Sequence, residues 1–244
     1  LRNSFIQGSK VLNLYKKMLN VFLLTGIVAS ITACSNDSNV ATVQEQKVKG
    51  KIENPVTSKF DASSAIPSNY KKKIEMNGLE SVRGKVKKVS DGDTYVVVVD
   101  KDSLSKTKVI DEKERQIKIR ALLLDTPESV KPNYPVQAYG KEASKFAKSL
   151  LEGKDVEIVF DKGEKKDHYG RYLAYVFCDG KLIQEEIIKE GFGIISYVKK
   201  PNTTFFDELQ KVELQAKSKK NGVWSIPDYV DENKHKLNRK DAAA

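Results

Sequence analysis

Val82-Arg83-Gly84-Lys85-Val86-Lys87-Lys88-Val89-Ser90-Asp91-Gly92-Asp93-Thr94-Tyr95-Val96-Val97-Val98-Val99 holds two β-rich runs on either side of a short polar break. Residues 82–89 and 94–99 therefore read as strands joined by a tight turn at Ser90-Asp91-Gly92-Asp93. Beyond them, residues 100–114 are charged and turn-rich, which predicts a long hairpin loop or ribbon. Arg115-Gln116-Ile117-Lys118-Ile119-Arg120 then alternates as a third strand before running into Ala121-Leu122-Leu123-Leu124. Tyr139, Ala143, Phe146 and Leu150 recur at helical spacing, with Gly153 as a stop. Residues 156–160 and 172–177 read as two further strands, and 162–170 as the polar connection between them. A short helix over 182–189 ends at Gly191. Phe205, Leu209, Val212 and Ala216 define a last helix, with Thr204 and Asp207 as its expected cap and Asn221-Gly222 as its end. Five strands and about three helices predict an α+β fold over residues 79–228: a small five-stranded barrel, with the OB-fold as the leading architecture.

The chain of 244 residues is 39% hydrophobic and 31% charged, which excludes both wholesale disorder and a polytopic membrane protein. Two cysteines cannot build a disulfide scaffold, and two histidines leave little room for a zinc centre. The net charge of +10 belongs mostly to the ends, since residues 79–228 hold 28 basic against 25 acidic groups. Global basicity is therefore weak support for a polyanionic partner, and that case rests on where particular residues converge.

Lys10, Lys16 and Lys17 precede a short apolar run that closes on Ile31-Thr32-Ala33-Cys34. A basic flank, an apolar stretch shorter than the ~20 residues of a membrane span and a small residue before the cut are the marks of an export signal. The final four residues resemble a bacterial lipobox. Residues 1–33 are thus expected to be a lipoprotein signal peptide and Cys34 the lipid anchor. An ordinary cleaved signal, or an anchoring helix with an incidental cysteine, is the plainer reading. Residues 34–78, rich in Ser, Asn, Thr and Lys, read as a flexible tether. Residues 229–244 read as a polar tail without structure. Cys178, in an apolar run, is expected to be a buried thiol.

Asp91-Gly92-Asp93-Thr94 sets two carboxylates at a turn, and Asp125-Thr126-Pro127-Glu128 sets two more after the third strand. If those strands are neighbours, the carboxylates converge. In a site for an anion they need a hard cation, and oxygen ligands suit calcium or magnesium. Arg120 and Arg171 supply guanidinium groups that match phosphate oxygens. Cation, carboxylate base and two arginines are the parts needed to hydrolyse a phosphate ester. Each alone has a bland reading, a turn or a surface ion pair.

These motifs, together with Tyr139-Gly140-Lys141-Glu142-Ala143-Ser144, Asp167-His168-Tyr169-Gly170-Arg171-Tyr172, Tyr197-Val198-Lys199-Lys200-Pro201-Asn202 and Gly222-Val223-Trp224-Ser225, resemble the staphylococcal nuclease family. The resemblance spans about residues 82 to 225. It implies calcium held by the Asp93 and Asp125 side chains and the Thr126 carbonyl, with Asp91 behind them. It further implies Glu128 as the base for the attacking water, and Arg120 and Arg171 on the phosphate. Tyr169, Tyr197 and His168 match positions that contact the nucleotide. The implied activity is cleavage of DNA and RNA, single strands preferred, to 3′-phosphate products; joined to the export signal, it gives the expectation of a monomer tethered outside the cytoplasm through lipid on Cys34.

Three departures stand out. Residues 101–114 are longer than the family's counterpart. His168 stands where lysine is usual, and Lys199 where a second pocket tyrosine is usual. Lys200-Pro201 matches a position that is cis in the family. A nucleic-acid-binding module without catalysis is the alternative, disfavoured because the carboxylates only hinder plain binding. A structural surface lipoprotein explains nothing after residue 90.

Overall fold

The computed structural model describes residues 66–129 and 135–238. Helix α1 (Ser68–Asn77) leads into β1 (Glu80–Asp91), which turns back as β2 (Thr94–Val99). A four-residue helix, α2 (Lys101–Leu104), lies in the long connection to β3 (Gln116–Ala121). Helix α3 (Gly140–Leu151), strands β4 (Asp155–Phe160), β5 (Tyr172–Cys178) and the two-residue β6 (Lys181–Leu182), and helices α4 (Ile183–Lys189) and α5 (Phe206–Ser218) follow. A last hairpin joins β7 (Val230–Asp231) to β8 (Lys236–Leu237).

The sheet runs β3-β2-β1-β4-β5-β6, and a further β3–β5 pairing closes it into a five-stranded barrel of the expected OB-fold class. All neighbours are antiparallel except at this closure, which is parallel and only three residue pairs long: Ile119 with Tyr172, Arg120 with Leu173, Ala121 with Ala174. Strand β1 pairs with two partners and carries two bulges, between Val86 and Lys88 and between Val89 and Asp91. Bulges raise local twist and re-aim side chains, and here the second delivers Asp91 to the end of the barrel. The interior is filled by alternating residues, among them Val82, Val86, Tyr95, Val97, Ile117, Ile119, Ile158 and Tyr175, each at most 1% exposed. Cys178 is buried as expected, and burial pushes its thiol up to about 11.

Several expectations are corrected. The three expected helices are present as α3, α4 and α5, and two more, α1 and α2, join them among the described residues. Part of the expected tether is helix α1, which buries Tyr70 and Ile74, donates from Tyr70 Oη to Glu185 at 2.5 Å and pairs Lys73 with Glu208 at 2.8 Å. Amphipathic burial of two residues suffices to fix so short a helix once α4 and α5 offer acidic partners. The connection after β2 is partly helical rather than a ribbon. The expected cap of α5 is absent: Thr204 gives both its N–H, at 2.8 Å, and its hydroxyl, at 2.7 Å, to Asp161 instead. The expected polar tail contains the β7–β8 hairpin, whose Tyr229 and Leu237 join Ile194 and Val223 in a small second core. The signal segment and Cys34 lie outside the described residues. No helix among the described residues is long and apolar enough to cross a membrane.

Candidate active site

The end of the barrel where β1, β2 and β3 terminate carries the acidic cluster. Pairing of Thr94 with Arg120 across β2 and β3 sets Asp93 beside the guanidinium, and Asp93 accepts the Ala121 N–H through its backbone carbonyl at 2.9 Å. After β3 the chain turns at Leu123, which adopts a left-handed conformation with φ 56°. Asp125 is then pinned by two backbone bonds of 2.9 Å to Ile194. Gly92 leaves room for Thr126, whose side chain would lie 2.7 to 2.9 Å from any Cβ there. That close approach brings the two acidic turns together.

The resulting geometry is tight. Asp93 Oδ2 accepts from the Thr126 N–H at 3.2 Å and from its hydroxyl at 3.1 Å. Arg120 Nη1 lies 2.5 Å from the same oxygen as an ion pair without hydrogen-bond alignment, and Nη2 donates to Asp125 Oδ1 at 3.2 Å. Burial works against the charge on Arg120, yet Asp93 and Asp125 hold its pKa above the ordinary value. Asp91 accepts from Gly92 N–H and from Ser129 Oγ, at 2.9 and 2.7 Å. Burial pushes Asp91 up to about 7; the Ser129 bond pulls against this, while the Asp93 charge and a hydrogen bond with Glu128 add to it.

Glu128 is held through its backbone. Its N–H donates to Gln137 Oε1 at 2.8 Å and its carbonyl accepts the Gln137 N–H at 3.0 Å. Gly140 backs the same carbonyl, which would stand 2.5 Å from an added Cβ. On the other side, Asp167 fixes Arg171 through Nε at 2.6 Å, leaving the Nη edge for a ligand. Tyr169 and Tyr197, 74% and 68% exposed, stand at the mouth, with the Arg171 and Arg120 guanidinium groups 5.4 and 5.2 Å from their rings. His168 is exposed and packs 3.8 Å from Tyr169. Lys199 pairs with Glu164 at 2.8 Å, and the Lys200–Pro201 peptide is cis.

Asp91, Asp93, Arg120, Asp125, Thr126, Glu128, His168, Tyr169, Arg171 and Tyr197 all line one cleft of about 1490 Å³. Sequence reading thus named these residues but missed Ser129, which bonds the Asp91 carboxylate, Gln137, which grips the Glu128 backbone, and Lys166, Asn202 and residues 234–237, which share the cleft. Among the described residues no three Asp, Glu, His or Cys side chains gather as a metal cage by themselves. Two carboxylates converging on one guanidinium, with a third carboxyl buried behind, are nonetheless an all-oxygen donor set with surplus negative charge. The chemistry of that donor set suits a hard cation.

A family model described as staphylococcal nuclease homologue matches residues 118–226. The thermonuclease of Staphylococcus hyicus is 40% identical over 141 residues, 58% of this chain and 75% of that protein. The chain belongs to the staphylococcal nuclease family. A Bacillus anthracis protein whose name carries no activity is 42% identical over 230 residues, 93% of this chain and 100% of its own. The SPbeta prophage-derived endonuclease YokF of Bacillus subtilis is 49% identical over 112 residues, 46% of this chain but only 38% of that protein. Likeness to YokF therefore concerns the nuclease-family domain and not the rest of that longer protein.

Proposed function

We propose that this family member is a calcium-dependent phosphodiesterase that hydrolyses single-stranded DNA and RNA to 3′-phosphate products. Nuclease chemistry is supported by the family and by the thermonuclease and endonuclease relatives. The observation that carries the reading is the convergence of Asp93, Asp125, Glu128, Arg120 and Arg171 on one cleft with two exposed tyrosines at its mouth.

In this reading Asp93 and Asp125, with the Thr126 carbonyl, hold calcium, which supplies Lewis-acid polarisation of a phosphate oxygen when bound. Arg171 binds the phosphate through its Nη edge. Arg120 exchanges part of its contact with Asp93 and Asp125 for phosphate oxygens and stabilises the charge that grows in the transition state. Glu128 accepts a proton from water as that water's oxygen bonds to phosphorus. The bond between phosphorus and the 5′ oxygen breaks, and the departing oxygen takes a proton from solvent. Tyr197 and Tyr169 flank the nucleotide, with the aromatic faces available for base stacking. The protein works outside the cytoplasm, held to a membrane by lipid on Cys34.

The test is digestion of single-stranded DNA and of RNA by the full chain, with calcium and with a chelator, reading the product ends. Calcium-dependent cleavage leaving 3′-phosphates is expected. Tight binding without cleavage would establish the binding-module alternative. For the anchor, Cys34→Ala should move the protein from the membrane fraction to the medium, and an unchanged distribution would refute it.

A further inference from the structure

The hairpin of β7 and β8 begins after residue 226, where the match to the family model stops, yet it forms part of the cleft wall. It is built in, rather than draped. Tyr229 and Leu237 are buried, Tyr229 Oη donates to the Ala138 carbonyl at 2.9 Å, and Ser196 Oγ donates to the His235 carbonyl at 2.7 Å. Ser196 immediately precedes Tyr197, so the hairpin is fastened to the segment that presents the mouth tyrosine.

Its charges are sorted. Lys234, His235 and Lys236 line the catalytic cleft, whereas Asp228 and Glu232 line a separate cavity of about 310 Å³ beside Trp224. Glu232 pairs there with Lys217, and Asp231 pairs with Lys234 at 3.1 Å. Lys236 is exposed and has no acidic partner among the described residues. The hairpin carries more acidic than basic groups between residues 228 and 238, so only this sorting turns a positive edge to the cleft.

We propose that the hairpin is a second contact for the polynucleotide, with Lys236 holding the sugar-phosphate backbone next to Tyr197 and beyond the phosphate under attack. The inference rests on the nuclease reading and deepens it. A lysine offers a point charge without the fork that reads base edges, so the contact adds affinity for length without adding sequence preference. Strand length, rather than the reacting phosphate, is what it senses.

Fluorescence anisotropy of the full chain carrying Glu128→Gln, with calcium present to offset the carboxylates and turnover slowed, tests this directly. The probes are a labelled oligothymidylate of about ten nucleotides and, as a competitor, a nucleoside 3′,5′-bisphosphate. Removal of the whole hairpin is a poor variant because Tyr229 and Leu237 are core residues. Lys236→Glu is expected to weaken oligonucleotide binding roughly 3- to 10-fold and to flatten its dependence on log salt by about 0.7 for the lost phosphate contact. The bisphosphate affinity and thermal midpoint should not change, and Lys236→Arg should restore binding. Unchanged oligonucleotide affinity overturns the inference, as does an equal loss for the bisphosphate. A Glu128→Gln chain that binds no oligonucleotide with calcium present overturns the nuclease reading along with it.

Discussion

Glu128 sits on backbone gripped at both its N–H and its carbonyl by Gln137, with Gly140 closing the space behind. Misplacing a base by about 1 Å can cost on the order of 10²-fold in rate, so in the proposed mechanism this grip is functional. Glu128→Gln keeps the shape and removes the proton acceptor. Its kcat is expected to fall by about 10²- to 10⁴-fold, while bisphosphate binding stays within a few-fold; near-full turnover would move the base elsewhere. Gln137→Leu removes the acceptor for the Glu128 N–H. Roughly tenfold lower kcat with little change in KM is expected, and Gln137→Glu, which keeps an acceptor, should recover most of it. A loss confined to KM would deny Gln137 a positioning role. Asp91, Asp93, Arg120, Asp125 and Glu128 were legible in the sequence because each lies in a short contiguous motif. Gln137 and Ser129 were not, since an isolated amide or hydroxyl in a loop carries no pattern until the fold shows what it faces.

At the scale of elements, the connection between β4 and α5 is held by one buried carboxylate. Asp161 is 1% exposed and accepts from the Lys162 N–H, Tyr175 Oη, Thr204 N–H and Thr204 Oγ, at 2.7 to 3.1 Å. Asp161→Ala strands those donors in the core. A loss of about 3 kcal/mol or more, read from a urea midpoint, is expected; under 1 kcal/mol would mean water replaces the carboxylate. Helix α5 also carries Glu213, which accepts the Ile195 N–H at 2.6 Å. Burial pushes Glu213 up to about 7, the Ile195 bond opposing and Glu232 adding to the shift against Lys217. Its folded pKa exceeds the unfolded one, so the folded state binds more protons and stability falls as pH rises from the ordinary carboxylate value toward 7. Glu213→Gln keeps the acceptor and is expected to be more stable at pH 8 by about 1 to 3 kcal/mol, with a flatter pH profile below. A parallel profile would show that Glu213 does not set it. Period and spacing revealed the five barrel strands. They did not reveal α1, whose two buried residues are too few to make a period, nor β7 and β8, at two residues each.

For the molecule as a whole, the near balance of charge between residues 79 and 228 means that attraction for a polyanion is placed, not diffuse. The barrel itself has one join of a different kind: three parallel pairs between β3 and β5, where β1–β2, β1–β4 and β2–β3 share five or six antiparallel pairs and β4–β5 three. Parallel pairing is slightly weaker per residue, and a short stretch of it has little to lose before it lets go. Arg120 lies in that join and Arg171 directly before its first residue, Tyr172. Amides on either side of the join should exchange with solvent before those between β1 and β2, and oligonucleotide affinity should vanish at lower urea than far-ultraviolet circular dichroism does. Coincident transitions would show the join to be as firm as the remainder. On that expected order of events, mild heat or denaturant parts the two arginines while most of the sheet still stands, so the proposed site is disarmed before the fold is dismantled.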